Sequence, residues 1–282
     1  MKIIKIIAAC FLAAFFVACS LIEGEKSVPA TVNLPVLMYH HLAAEAINPW
    51  TVTPESFALQ MRALRDNNFN PITLQQLLDY VDDGVALPAN PVLITFDDGY
   101  LSVFNYAFPI MQHYGMTGVS FIMGHFVGMD TYKDTGNPMT PRFSFEQARE
   151  MTGVMEIQSH TYDMHQWAPF ETDRARENIL IWPDEDPAEY EEILRNDHEK
   201  ISALIYEGTG EEVFAVAYPH GIYDELSRSI LVSAGVRITF STIEGVNTIV
   251  KGEPESLLGL RRFNITDDVD ENALIELLSG EI

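Results

Sequence analysis

Six short apolar runs, separated by stretches with helical spacing, limit what this chain can fold into. They are Pro35–Tyr39, Pro91–Phe96, Gly118–Met123, Val154–Gln158, Val213–Tyr218 and Val236–Phe240. Each is short and rich in Val, Ile or Phe, which predicts a buried strand rather than a helix. Between them lie helix starts. Thr53-Pro54 supplies an N-cap and an N1 proline ahead of Phe57, Met61 and Leu64. Thr73 with Gln76, and Ser144 with Gln147, form capping boxes, the first ahead of Leu77, Leu78 and Val81. Tyr190, Ile193, Leu194, Ile201, Leu204 and Ile205 form one apolar face of a long acidic helix. This alternation predicts an α/β fold, a mainly parallel sheet with helices outside, either open or closed into a barrel. Residues 168–187, which include Trp182-Pro183-Asp184-Glu185-Asp186-Pro187, read as a long loop or insertion, and no second domain is needed.

The N-terminus predicts export. Lys2 and Lys5 give a positive start, and Ile6 to Ala18 gives about 13 mostly apolar residues, too few to cross ~30 Å of hydrocarbon. Phe16-Val17-Ala18-Cys19 resembles a bacterial lipobox, with Phe16 where an aliphatic residue is usual. Residues 1–18 are therefore expected to be a lipoprotein-type signal, with an ordinary signal peptide or an uncleaved anchor as alternatives. Cys19 becomes the expected lipidation site, residues 19–33 a tether, and 34–282 the folded domain. The expected location is the cell envelope outside the cytoplasm, membrane-anchored through the lipid, with secretion as the alternative. Cys10 and Cys19 are the only cysteines, so the domain carries no disulfide and no thiol chemistry. With 17 Lys and Arg against 41 Asp and Glu, the chain has a net charge of −24. Such a surface repels phosphate backbones, so nucleic acid is not an expected partner.

Catalysis must then rest on His, Asp, Glu, Ser or Arg, and in such folds reactive groups sit past the C-terminal ends of strands. Asp97-Asp98-Gly99 follows the run Pro91–Phe96. Consecutive side chains at a strand end point in different directions, so one carboxylate can bind a cation while the other stays free as a base. The plainer alternative is a helix cap and a turn. Ser159-His160-Thr161-Tyr162-Asp163-Met164-His165 follows the next strand but one. Histidines five apart lie about 140° apart on a helix at ~100° per residue, but in a loop they can converge. Two imidazoles and a carboxylate on a divalent cation, with a position left for water, is a catalytic arrangement. Competing chemistries lack their residues. The chain has no Gly-x-Ser-x-Gly elbow, no His-Glu-x-x-His helix and no phosphate-binding glycine loop.

Thr95-Phe96-Asp97-Asp98-Gly99-Tyr100 and Ser159-His160-Thr161 resemble the first two motifs of the polysaccharide deacetylases (NodB homology domain, carbohydrate esterase family 4). Pro35-Val36-Leu37-Met38-Tyr39-His40-His41 and Ala217-Tyr218-Pro219-His220-Gly221 extend the resemblance, which covers about residues 34–265. It implies a distorted (β/α) barrel and metal-dependent removal of N- or O-acetyl groups from polysaccharides, with Zn2+ the expected ion. Carried onto this chain, it implies Asp97 as general base and Asp98, His160 and His165 as metal ligands. Tyr100, Tyr218 and Pro219 are the expected substrate contacts. The family's usual histidine spacing of four would fall on Met164. The spacing of five is similar to the branch that deacetylates poly-N-acetylglucosamine, which favours His165 as the ligand, with Asp163 as the alternative.

Two departures stand out. No arginine precedes Ala217-Tyr218-Pro219-His220, and Leu260-Arg261-Arg262-Phe263-Asn264-Ile265 offers arginine where the family has a histidine acid. Arg262 is the candidate to orient Asp97, because a guanidinium can hold a carboxylate with two parallel bonds. His220 is the candidate to protonate the leaving amine, with its backbone N–H beside the oxyanion. The expected reaction is hydrolysis of acetamides on an envelope or extracellular polysaccharide of N-acetylglucosamine type. The alternatives are a non-catalytic glycan-binding envelope lipoprotein and an O-acetyl esterase. Trp167 and Trp182 either stack on sugar rings or anchor their loop.

Overall fold

A computed structural model describes residues 30–279, so the expected signal, Cys19 and most of the tether lie outside the described residues. The first half of the chain forms β1 (Thr31–Leu34), β2 (Val36–Tyr39), β3 (His41–Leu42), β4 (Thr51–Val52), α1 (Pro54–Asp66), β5 (Asn70–Pro71), α2 (Leu74–Asp83), β6 (Pro91–Phe96), α3 (Phe108–Tyr114) and β7 (Gly118–Ile122). The second half forms α4 (Phe145–Glu150), β8 (Met155–Ser159), α5 (Pro187–Thr209), β9 (Ala215–Ala217), α6 (Glu225–Ser233), β10 (Ile238–Phe240), β11 (Asn247–Val250), β12 (Phe263–Asn264) and α7 (Glu271–Ser279). The Thr53, Thr73 and Ser144 side chains cap α1, α2 and α4, the last two in full capping boxes.

All six apolar runs contain strands, paired in parallel in the order β10-β9-β8-β7-β6-β2-β12, with β5 beside β6. Along β2 and β6 alternate residues join different apolar clusters, as strand geometry requires. Leu37, Tyr39, Ile94 and Phe96 pack with Phe57 and Met61 of α1, Met111 of α3 and Leu274 of α7. Val36 and Leu93 join Val119, Phe121, Ala217 and Phe240 in a second cluster. The sheet curls until one segment touches both edges. Leu260 bridges Phe240 in parallel, and Phe263 pairs with Leu37. Amides secure both contacts, Leu260 N–H donating to Thr239 O (2.7 Å) and Ile265 N–H to Met38 O (3.0 Å). The product is a distorted (β/α) barrel of mainly parallel strands.

One local expectation changes and another holds. Residues 31–33, expected in the tether, belong to β1 and pair antiparallel with β11, from Thr31 opposite Val250 to Leu34 opposite Asn247. The strand is half polar, and its apolar partner Ile249 comes from the far end of the chain, so a single-strand reading finds no pattern. The insertion 168–187 is a loop with one 3-10 turn, Ala168–Phe170. It is pinned by buried Ile179 and by Arg176, which pairs with Glu185 and donates to Leu180 O at 3.2 Å.

Glu156 on β8 accepts the N–H of Leu74 at 3.2 Å, at the start of α2. Burial pushes its carboxyl up to about 7, against the Leu74 bond and with help from nearby Glu211. The folded protein therefore takes up this proton below about pH 7, the unfolded chain only near 4.5. The stability cost of ionised Glu156 is absent in acid and complete above pH 7. Glu156→Gln is expected to exceed wild type by about 1–3 kcal/mol in urea unfolding at pH 8, and to lose that advantage at pH 4.

Candidate active site

The site residues gather at one end of the barrel because each follows a parallel strand. His40 follows β2, Asp97 and Asp98 follow β6, His160 and His165 follow β8, His220 follows β9, and Arg262 lies on the closing segment. Six described non-glycine residues have positive φ, and Asp98 (70°), Thr161 (73°) and His220 (57°) are all at this end. Thr161 is β-branched, for which this conformation is an outlier. Such strain costs of order 1–3 kcal/mol and persists where the surroundings enforce it, most often at functional sites.

Asp97 and Asp98 point apart and meet different groups. Asp97 is 2 % exposed and Arg262 is fully buried. The guanidinium forks onto the carboxylate, Nη1 to Oδ1 and Nη2 to Oδ2, both at 2.7 Å. Its Nε donates to Ser241 O at 2.8 Å, so Arg262 ties the closing segment to the ends of β6 and β10. Burial alone would raise the Asp97 carboxyl. The Arg262 charge and its bonds, with His160 and His40, outweigh burial and hold it below the usual range.

Asp98 faces the two histidines. Its Oδ1 lies 3.5 Å from His160 Nε2 and 3.8 Å from His165 Nε2, and one ligand atom from each residue falls within 4.8 Å of the others. His160 Nδ1 donates to Ala217 O at 2.8 Å, which fixes the tautomer and leaves the Nε2 lone pair facing Asp98. Burial lowers His165 to about 3, so it is neutral near pH 7. Asp98 is held below the usual range because His165, Arg142 and His160 outweigh its burial. A carboxylate and two imidazoles with converging ring nitrogens fit a divalent cation. Asp163 turns instead to Lys133 (3.0 Å) and Gln166 (3.0 Å), and Met164 is buried against Tyr190 and Tyr218.

The other expected residues divide. Tyr100 lies under Arg142, whose guanidinium is 3.8 Å from the ring centroid, and burial followed by the Asp98 charge pushes its phenol up. His220 is exposed, with its ring 4.5 Å from that of His165. Tyr218 is fully buried and stacked on Tyr223 at 4.4 Å, and Pro219 is buried beside it. Both side chains are covered, and the Tyr218 ring fills an apolar cluster with Met164 and Tyr190. Trp182 is flanked by Arg174 and Arg176, 4.2 and 4.0 Å from its centroid, so it anchors the insertion. Trp167 is 55 % exposed, with its ring 5.6 Å from that of Phe170 and 6.5 Å from that of Tyr132.

His40 was given no role by the motifs, yet its environment is the site. Its ring packs on Trp50 at 4.9 Å, and its Nδ1 is buried with no hydrogen-bond partner among the described residues. Burial lowers its pKa although Asp97 and Asp98 are close enough to oppose this. The strand-end rule, applied to Tyr39-His40-His41, finds it.

A cation-ready Asp-His-His cluster beside a forked Asp–Arg pair, at the C-terminal mouth of a parallel barrel, defines a hydrolase-type site. The chain belongs to the polysaccharide deacetylase family, whose sequence profile matches residues 84–239. It is 25% identical over 242 residues to the poly-beta-1,6-N-acetyl-D-glucosamine N-deacetylase of Staphylococcus aureus, covering 84% of this chain and 75% of that protein. IcaB from Ammonifex degensii superposes with a TM-score of 0.70 and 26% identity, over 87% of this chain and 97% of that one. A de-N-acetylase from Aggregatibacter actinomycetemcomitans gives 0.73 with 22% identity, over 87% and 100%, a likeness of fold.

Proposed function

We propose that this protein removes N-acetyl groups from a polysaccharide of N-acetylglucosamine type, using a divalent cation, Zn2+ by its ligand set, held by Asp98, His160 and His165. The observation that carries this reading is the convergence of those three ligand atoms beside a carboxylate that is buried, ionised and fixed. The likeness to the staphylococcal enzyme supports the substrate class. A bound cation supplies Lewis acidity and brings the pKa of water toward ~7. Asp97, both oxygens held by Arg262, accepts the water's proton. The proton held by Asp97 is the one the departing nitrogen needs, and His40, a neutral imidazole under the influence of both aspartates, takes it up from Asp97 and passes it on.

The test is chelation and reloading, with assays on N-acetylated glucosamine oligomers and O-acetylated xylan. Cation-dependent release from the oligomers alone supports the proposal. Release from xylan alone assigns an O-acetyl esterase, and glycan retention with neither activity leaves a binding protein. Asp98→Ala, His160→Ala and His165→Ala are each expected to lower metal content, with Met164→Ala close to wild type.

We further propose that the protein acts in the cell envelope, anchored by lipid at Cys19. The short apolar segment and Phe16-Val17-Ala18-Cys19 support this. Cys19→Ala is expected to move the protein from the membrane to the soluble fraction, because a single acyl chain holds only marginally whereas a lipoprotein carries more than one. A soluble wild-type protein would reject the anchor.

A further inference from the structure

We infer that Asp197, on α5, is the positioning residue for the His165 ligand; this rests on the metal site proposed above. The two imidazoles are held in different ways. His160 is oriented through its own ring, Nδ1 donating to Ala217 O at 2.8 Å. His165 Nδ1 is buried and has no hydrogen-bond partner among the described residues. Its ring meets those of His160 and His220 at 5.1 and 4.5 Å, but no hydrogen bond fixes it, so its direction depends on the backbone that carries it.

That backbone is clamped from one side by one carboxylate. Asp197 Oδ1 accepts the N–H of Tyr162 and Oδ2 the N–H of Asp163, both at 2.8 Å. One turn along the same helix, Lys200 places its ammonium 3.8 Å from the centroid of the Tyr162 ring. From the other side, Gly124 N–H donates to Thr161 O (3.1 Å) and His125 N–H to Tyr162 O (2.9 Å). The approach is close enough that a Cβ at Gly124 would lie 2.7 Å from Tyr162 Cδ2. The strained Thr161 is thus enclosed, and Met164 N–H closes the turn onto Thr161 Oγ1 at 3.2 Å. A carboxylate accepting two backbone N–H groups is a strong, directional clamp. Both bonds of Asp197 reach across 35 and 34 positions of sequence to the loop between the two histidines.

The test is cation affinity, measured by chelator competition with Zn2+ on full-length protein, together with hydrogen exchange at the Tyr162 and Asp163 amides without metal. Asp197→Ala is expected to weaken Zn2+ binding about 10- to 100-fold, the usual scale for a group that orients a ligand. Asp197→Asn, which keeps one acceptor oxygen, is expected to fall between it and wild type, and Glu199→Ala on the same helix to match wild type. Exchange at both amides should quicken in Asp197→Ala. In a His165→Ala background, Asp197→Ala should cost little more affinity, because it acts through His165. Unchanged affinity in Asp197→Ala, or losses that multiply in the double variant, overturns the assignment while leaving the metal site standing. Unchanged affinity in His165→Ala overturns both. If Asp197→Ala does not fold, Asp197→Asn carries the same comparisons.

Discussion

Arg262→Met is expected to cost both stability and turnover, and removing the charge it leaves behind is expected to restore only the first. The guanidinium is fully buried and Asp97 is 2 % exposed, so the variant strands a carboxylate without its fork. Breaking a buried pair in this way costs about 3–5 kcal/mol, readable in urea unfolding. Asp97→Asn in the Arg262→Met background removes the stranded charge and is expected to recover much of that loss, with turnover still absent. Equal stability of the single and double variants would mean that Arg262 acts through packing or through Ser241 alone. In wild type the lowered Asp97 pKa contributes stability above the ordinary carboxylate range and loses it as pH falls through the folded value. Without Arg262 burial dominates, so the acidic limb of any residual pH–rate profile moves upward.

Turnover in His40→Gln is expected to fall about 10²- to 10⁴-fold with metal content unchanged, the scale of a lost acid–base group. His220→Gln is expected to fall far less. His40 feels Asp97 and Asp98 from a buried position, whereas His220 is exposed and meets the ring of His165. Turnover at equal metal occupancy separates them: it should collapse in His40→Gln and largely persist in His220→Gln. The opposite result would return the donor role to His220.

Much of this could be read along the chain, because it depends on local chemistry. Buried strands announce themselves by short Val, Ile and Phe runs, and capping boxes by residue pairs three apart. Asp97, Asp98, His160 and His165 were visible as polar residues at strand ends. What was missed depends on long-range partners. β1 is legible only beside β11, and the burial of the Tyr218 ring only once Met164 and Tyr190 are brought around it. His40 carried its signal, a histidine ending a strand, but the signal points to the mouth of the barrel and not to a role. Asp197 carried none, since one acid on an acidic helix face looks like any other.

The closing segment also divides the site into two parts along the chain. Asp98, His160 and His165 all come from the span between positions 98 and 165, on neighbouring parts of one sheet. The fork that fixes Asp97 arrives from a residue 165 positions further along, on the segment that joins the sheet's two edges. Contacts between such distant residues form late, since the loop entropy precedes the reward. The three proposed ligands therefore sit within one stretch of chain, whereas the anchoring of Asp97 waits for the segment from Leu260 onward.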